Sequence, residues 1–213
     1  MNGLKTIGII GFGELGRQIK VHLEDSLSVP LKFIYFDDIL HKVEPDTVLP
    51  FYAFREIPGN EIEYIVGLGY HHLPLKKELY DELIRDGKPL LSFIHSTSFV
   101  NKRSELGEGV IIYPKCNIDM GCNIGNGVLL NNSVTVSHDT AIGSASYLSP
   151  GVTISGKVKI GESTFIGSGV NVSNGVSVGD RCVIGIGSTV TKDLPTGTSG
   201  IGNPFCEKRI SLC

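Results

Sequence analysis

Two short stretches hold residues that can do chemistry. The first is Val136-Ser137-His138-Asp139-Thr140-Ala141. An imidazole titrates closest to neutral pH of the common side chains, so His138 is a candidate proton acceptor. Asp139, beside it, can fix the ring tautomer and raise its basicity. Such a pair suits a reaction in which an amine or hydroxyl loses a proton as it attacks an acyl carbon. The competing reading is an inert surface histidine.

The second stretch is Gly11-Phe12-Gly13-Glu14-Leu15-Gly16, placed between the strand-like run Thr6–Ile10 and a helical stretch to about Asp25. With Asp37 about twenty residues on, the spacing matches the dinucleotide fingerprint. Three readings are open: the diphosphate of a nucleotide sugar held at a helix N-terminus, a purely structural glycine turn, and NAD. Free N–H groups and the helix dipole favour an anion there. A NAD-binding domain needs two mononucleotide-binding halves, and residues 1–90 leave room for about one. Asp37 and Asp38 end a second strand, Leu31–Phe36, where they can accept hydrogen bonds from a base or ribose or stand as solvated acids. A third strand over 63–68 ends at Gly69, and helical spacing covers 75–85. Alternating strands and helices predict a small parallel α/β domain.

The elements that position His138 come from a repeat. From Ile94 an aliphatic residue recurs every sixth position without insertion: Ile94, Val100, Leu106, Ile112, Ile118, Ile124, Leu130, Val136, Ile142 and so on to Val190. Period six fits neither a helix nor a flat strand. It predicts a solenoid of two-residue strands and tight turns, three hexapeptides per triangular coil, with the aliphatic side chain on the axis. Four positions after each aliphatic comes a mostly small residue that packs inside, which makes Cys116, Cys122 and Cys182 core residues. Cys206 and Cys213 lie in the tail. Gly often follows the aliphatic directly, as at Gly107, Gly125, Gly143, Gly161 and Gly179, and is expected to serve turns that need unusual backbone angles. His138 and Asp139 then face outward at a corner. The division is residues 1–90, α/β, and residues 91–213, a parallel β-helix with a short tail.

Composition narrows the function classes. The 213 residues carry a formal charge of −3 without a Lys/Arg run, which offers nucleic acid no footprint. No apolar stretch approaches the length of a membrane helix, and the first residues run straight into a strand-like stretch, so no secretory leader is expected. Five cysteines in such a chain are expected to be reduced, in the cytoplasm.

Residues 94–209 resemble the hexapeptide-repeat acyltransferases. With the Gly-rich front domain, the chain resembles the bacterial sugar acetyltransferases of the PglD and NeuD type. The resemblance rests on Ser137-His138-Asp139 with Ile142-Gly143, Leu148-Ser149-Pro150-Gly151, residues Ile154 to Glu162, Thr191-Lys192-Asp193-Leu194-Pro195 and the closing Gly202-Asn203-Pro204. It implies a left-handed β-helix and a homotrimer that moves acetyl from acetyl-CoA to the amino group of a nucleotide-linked amino sugar for polysaccharide biosynthesis, without a metal. It makes His138 the base and Asp139 its orienting carboxylate. It places Asn131 in the sugar pocket and Gly13, Glu14 and Leu15 in the nucleotide-sugar loop, and makes Asp37 and Asp38 the base-binding pair, with Gly69 a further contact. Tyr147, Ser168 and Ile186 meet acetyl-CoA through their backbone in a groove between subunits. Leu15 stands where relatives often carry His, and Gly69-Tyr70-His71 replaces Gly-Asn-Asn, both at the substrate end.

Three other functions are weighed against this. A γ-class carbonic anhydrase needs three histidine ligands, and the repeat holds only His95 and His138. An inactive scaffold would bind no acetyl-CoA. O-acetylation of sialic acid or another sugar uses the same base on a different nucleophile.

Overall fold

The chain forms two compact units, Met1–Phe93 and Ile94–Cys213. The computed structural model describes residues 4–58 and 61–207. Cys213 lies outside the described residues.

In the first unit, β1 (Lys5–Ile10), β2 (Leu31–Phe36), β3 (Val48–Leu49) and β4 (Ile62–Val66) pair in parallel in the order β3-β2-β1-β4. Helix α1 (Glu14–Ser26) connects β1 to β2, α2 (Asp38–His41) follows β2, and α3 (Leu73–Arg85) follows β4. Helix α1 buries Leu15, Ile19 and Leu23, one residue per turn on a single face. Behind the sheet Phe36, Phe54 and Tyr64 meet pairwise with ring centroids 6.1–6.2 Å apart. Helix α3 begins at Leu73, two residues before the expected start, because Pro74 is favoured in a first turn, where its missing N–H costs nothing. Strand β4 stops at Val66 because Gly67 has a different task. A Cβ there would strike the Gly11 carbonyl and lie 2.8 Å from the Gly16 Cα. Gly11, Gly16 and Gly67 thus bring the start of α1 against the end of β4.

The second unit is a left-handed parallel β-helix whose faces are sheets of five, six and eight strands. Successive two-residue strands on a face pair in parallel three hexapeptides apart, as in Ile124↔Ile142↔Ile160↔Val178, and only the closing strand Cys206–Glu207 of the described residues runs antiparallel, against Ser199–Ile201. The axial stack Ile118, Val136, Ile154, Val172, Val190 is at most 1% exposed. Each such residue contributes about 1.5–3 kcal/mol by leaving water. The ladder is open at its first coil, where Ile94 is 44% exposed. The small inward residues do more than fit. Ser146 Oγ donates to Gly161 O at 2.7 Å and accepts from Thr164 N at 3.0 Å. Thr164 repeats the pattern towards Gly179 O and Cys182 N. These side chains tie each coil to the next, and the three buried cysteines take the place of Ser or Thr in that series. Burial raises their thiol pKa, which keeps them unreactive.

One expectation is corrected. The glycines directly after the aliphatic have ordinary φ; they are small because coils approach closely. A Cβ on Gly143 would lie 2.6 Å from Glu162 N, and one on Gly125 2.7 Å from Ser144 N. The left-handed backbone falls two residues later and recurs at every hexapeptide from Gly109 to Gly187. Lys115, Ser133, Asp139, Ala145, Lys157, Ser163 and Arg181 occupy it although they are not glycine.

Candidate active site

His138 stands at a corner that follows the six-stranded face. Its carbonyl accepts from Lys157 N at 2.9 Å, and Asp139 N donates to Met120 O at 3.0 Å, so coils on both sides pin the turn. Asp139 occupies the left-handed position with φ 57°. That conformation swings its carboxylate back, and Oδ2 lies 3.0 Å from His138 Nδ1. With Nδ1–H donated to the carboxylate, Nε2 keeps its lone pair. Both side chains are accessible, at 42% and 53% exposed.

Glycines make room on either side of the pair. A Cβ on Gly121 would lie 2.6 Å from Asp139 Oδ1. One on Gly156 would lie 2.6 Å from His138 Nε2 and 3.0 Å from Asn174 Oδ1. The imidazole therefore lies over a bare glycine of the next coil, with the Asn174 amide beside it. Neither Gly156 nor Asn174 is singled out by the sequence reading. The signal is their position, His138, Gly156 and Asn174 being one coil apart.

The other expected residues of this unit, Asn131 among them, belong to the eight-stranded face and the corner after it. Asn131 is 8% exposed; its Nδ2 donates to Tyr147 Oη at 3.0 Å, and its Oδ1 accepts from Asn132 N at 2.7 Å. The Tyr147 ring tilts against Phe165 at 5.8 Å, and its N–H is committed to Thr164 O at 2.9 Å. Ser168 and Ile186 follow the eight-stranded face and stack one above the other, Gly187 N donating to Ser168 O at 2.8 Å. Ile186 is 67% exposed. Within one chain, the corner of Ser168 and Ile186 is not the corner of His138. Among the described residues no three His, Cys, Asp or Glu side chains converge to hold a metal ion.

In the first unit, Gly13, Asp37, Asp38 and Gly69 lie beyond the C-terminal ends of three adjacent parallel strands, β1, β2 and β4. The strand order reverses between β1 and β4, the place where open α/β sheets take ligands. Nothing lies within 4 Å of a Cβ built on Gly13 or Gly69, so the backbone is open to a ligand at both. Glu14 already places a negative charge in the first turn of α1.

Two expectations need correction here. Leu15 is 8% exposed and belongs to the inward stripe of α1, so its side chain faces the core and only its backbone is available to a ligand. Asp37 is heavily occupied, its Oδ1 accepting from Ile39 N and Leu40 N as the cap of α2 and its Oδ2 from Phe12 N, all at 3.0 Å. It ties the glycine loop to the next turn. Asp38 is exposed and uses one oxygen, Oδ1, for Phe51 N at 2.8 Å.

The bacterial transferase hexapeptide family, as six repeats, matches residues 157–192. Among solved structures, the acetyltransferase domain of PglB from Neisseria gonorrhoeae is 23% identical, with 96% of this chain and all of that one covered at a TM-score of 0.83. PerB from Caulobacter crescentus, solved with CoA and GDP-perosamine, is 26% identical over 96% of this chain and 97% of that one, at 0.82. Over both units the chain is similar in fold to these hexapeptide-repeat sugar acetyltransferases. WeeI from Acinetobacter baumannii is 23% identical over 97% of this chain and all of that one, again at 0.82. No curated protein matches the chain. These structures share both units of the fold, including the front α/β unit that a hexapeptide repeat alone would not require.

Proposed function

We propose that this acetyltransferase moves acetyl from acetyl-CoA to the amino group of a nucleotide-linked sugar, with His138 as general base. The observation that carries the reading is the exposed His138–Asp139 pair on a fold shared end to end with a protein that holds CoA and GDP-perosamine. Asp139 fixes the tautomer, and Nε2 takes the proton that the amine loses as its nitrogen bonds to the acetyl carbon. The same proton then passes to the departing thiolate.

The front unit binds the nucleotide, through backbone at Gly13, Glu14, Leu15 and Gly69 and the unused oxygen of Asp38. Asp37 shapes that loop. Asn131, held by Tyr147 at the corner it shares with Ser168 and Ile186, borders the sugar. Tyr147, Ser168 and Ile186 serve acetyl-CoA from that corner, and a homotrimer resolves its separation from His138. A triangular prism closes around a threefold axis, setting the Ser168–Ile186 corner of one copy beside the His138 corner of the next. The product is an activated sugar for polysaccharide assembly. Free cysteines suit the cytoplasm, and no helix of the described residues is long and apolar enough to cross a membrane.

The test is acetyl transfer from acetyl-CoA to UDP-, dTDP- and GDP-linked 4-amino sugars, with sialic acid included. Turnover of one nucleotide-linked amine is expected. Transfer to sialic acid alone would overturn the assignment of the nucleophile, and an absence of acetyl-CoA binding would overturn the activity. Light scattering is expected to give three copies; a fully active monomer would overturn the intersubunit site.

A further inference from the structure

The group next to the free nitrogen of His138 is the side-chain oxygen of Asn174. His138 Nε2 and Asn174 Oδ1 lie 2.6 Å and 3.0 Å from a single point, the Cβ position that Gly156 leaves empty. Both are acceptors. Nε2 has a lone pair because Nδ1–H is donated to Asp139 at 3.0 Å, and an amide oxygen never donates. The Asn174 side chain is exposed on the corner, as is part of the imidazole, so a ligand reaches both.

Two acceptors that flank one glycine this closely can both be reached by a single atom with two hydrogens placed between them on the outer side of the corner. A primary amine is such an atom. Its N–H bonds diverge at about the tetrahedral angle, which lets one nitrogen reach two acceptors at ordinary hydrogen-bond distances. With both hydrogens held, the nitrogen lone pair points away from the protein groups, free to attack an acyl carbon. A hydroxyl has one hydrogen and can satisfy only one of the two.

We infer that Asn174 is the residue that selects an amine over a hydroxyl, by accepting the second N–H of the nucleophile while His138 accepts the first. This rests on the proposed acetyl transfer and specifies its nucleophile. The atoms balance through the step. The nitrogen bonds to the acetyl carbon, the carbon–sulfur bond breaks, and one proton leaves through Nε2 to the thiolate. The other hydrogen stays on the product amide, still donated to Asn174 Oδ1.

The test compares the wild type with Asn174→Ala and Asn174→Asp. The substrate is whichever UDP-, dTDP- or GDP-linked 4-amino sugar the wild type acetylates, and the inhibitor is its 4-hydroxy counterpart. Loss of one neutral hydrogen bond predicts about a tenfold lower kcat/KM for Asn174→Ala on the amine. The inhibition constant of the hydroxy sugar should move less than twofold, because that ligand never used the amide oxygen. Asn174→Asp keeps an acceptor in either rotamer and should restore most of the amine rate. An unchanged amine rate in Asn174→Ala overturns the inference. So does a parallel loss for both ligands, which would mark a structural role. If the wild type acetylates no nucleotide-linked amine, the underlying reading fails instead, and the wild-type assay alone reports that.

Discussion

The Nδ1 of His138 lies 3.0 Å from Oδ2 of Asp139, its immediate neighbour in the chain, and the turn makes this contact possible. Adjacent side chains on a strand point to opposite faces. The left-handed backbone of Asp139, with φ 57°, folds the carboxylate back onto the preceding ring. The solenoid supplies that conformation at each corner, so the pair needs no special loop.

This geometry separates charge from conformation in a test. Asn tolerates left-handed φ at least as well as Asp, so Asp139→Asn keeps the turn and removes the charge. His138→Ala is expected to lower kcat by about 10²–10⁴-fold, the usual scale for loss of a general base. Asp139→Asn should cost less, and both proteins should remain folded because the side chains face out. Steady-state rates and a thermal melt on each variant decide it. Near-native turnover in His138→Ala would remove the base assignment.

Gly156→Ala probes the same site without touching a polar group. Its φ is ordinary, so Ala fits the backbone, but the new Cβ would lie 2.6 Å from His138 Nε2 and 2.7 Å from Cε1. The imidazole must swing aside. A displacement near 1 Å can cost up to about 10²-fold in rate, and a loss of tenfold or more in kcat is expected. Acetyl-CoA binding should be unchanged, because Ser168 and Ile186 sit at another corner. Calorimetry with CoA beside the kinetic assay checks both halves. Equal losses in rate and CoA affinity would mean a general distortion.

Much of this was legible in the sequence, for definite reasons. Seventeen uninterrupted hexapeptides leave one architecture that buries every sixth residue, and the outward corner place of His138 follows. The glycine fingerprint located the loop after β1 for a similar reason, since few residues let α1 pack this close. What escaped depends on contacts between coils or between strand ends. Asn174 reaches the site only because stacking brings it over Gly156. The commitment of Asp37 to Phe12 N requires β1 and β2 to be neighbours. Which glycines are small for space and which for φ is a matter of where the next coil lies.

That last distinction predicts two different costs. Gly143→Ala puts a methyl 2.6 Å from Glu162 N and Gly161 C, backbone atoms that cannot move without shifting a coil. Overpacking of this kind costs about 1–3 kcal/mol and sometimes more. Gly169→Ala meets nothing within 4 Å but must hold a φ of 66°, which costs about 1–2 kcal/mol. Seven other side chains already bear that conformation at equivalent corners, so its cost should sit at the low end. Urea midpoints should rank wild type, Gly169→Ala, Gly143→Ala in falling order. The reverse order would mean that backbone conformation, not coil spacing, limits the solenoid.

A lysine in the front unit sets the dependence of stability on pH. The buried stripe of α3 reads Leu73, Lys76, Leu79, Tyr80, Leu83, so Lys76 occupies a core position and is 0% exposed. Its Nζ has no hydrogen-bond partner among the described residues and lies 5.9 Å from the centroid of the Tyr80 ring. Burial disfavours the ammonium and pushes its pKa down from 10.5 to about 7. Above pH 10.5 the amine is neutral both folded and unfolded, and burial carries no charge penalty. As pH falls towards 7, the unfolded chain takes up a proton that the folded chain refuses, and stability drops. Below about pH 7 both states are protonated and the loss levels off. At about 1.4 kcal/mol per pKa unit, the full penalty is on the order of 4–5 kcal/mol. Lys76→Met keeps the length of the side chain and removes the charge. Its urea midpoint should exceed that of the wild type most at pH 6, with an advantage that shrinks steadily at pH 8 and pH 9.5. An advantage that does not vary with pH would show that Lys76 is held charged by a partner, and a destabilised variant at pH 6 would show that the charge is needed.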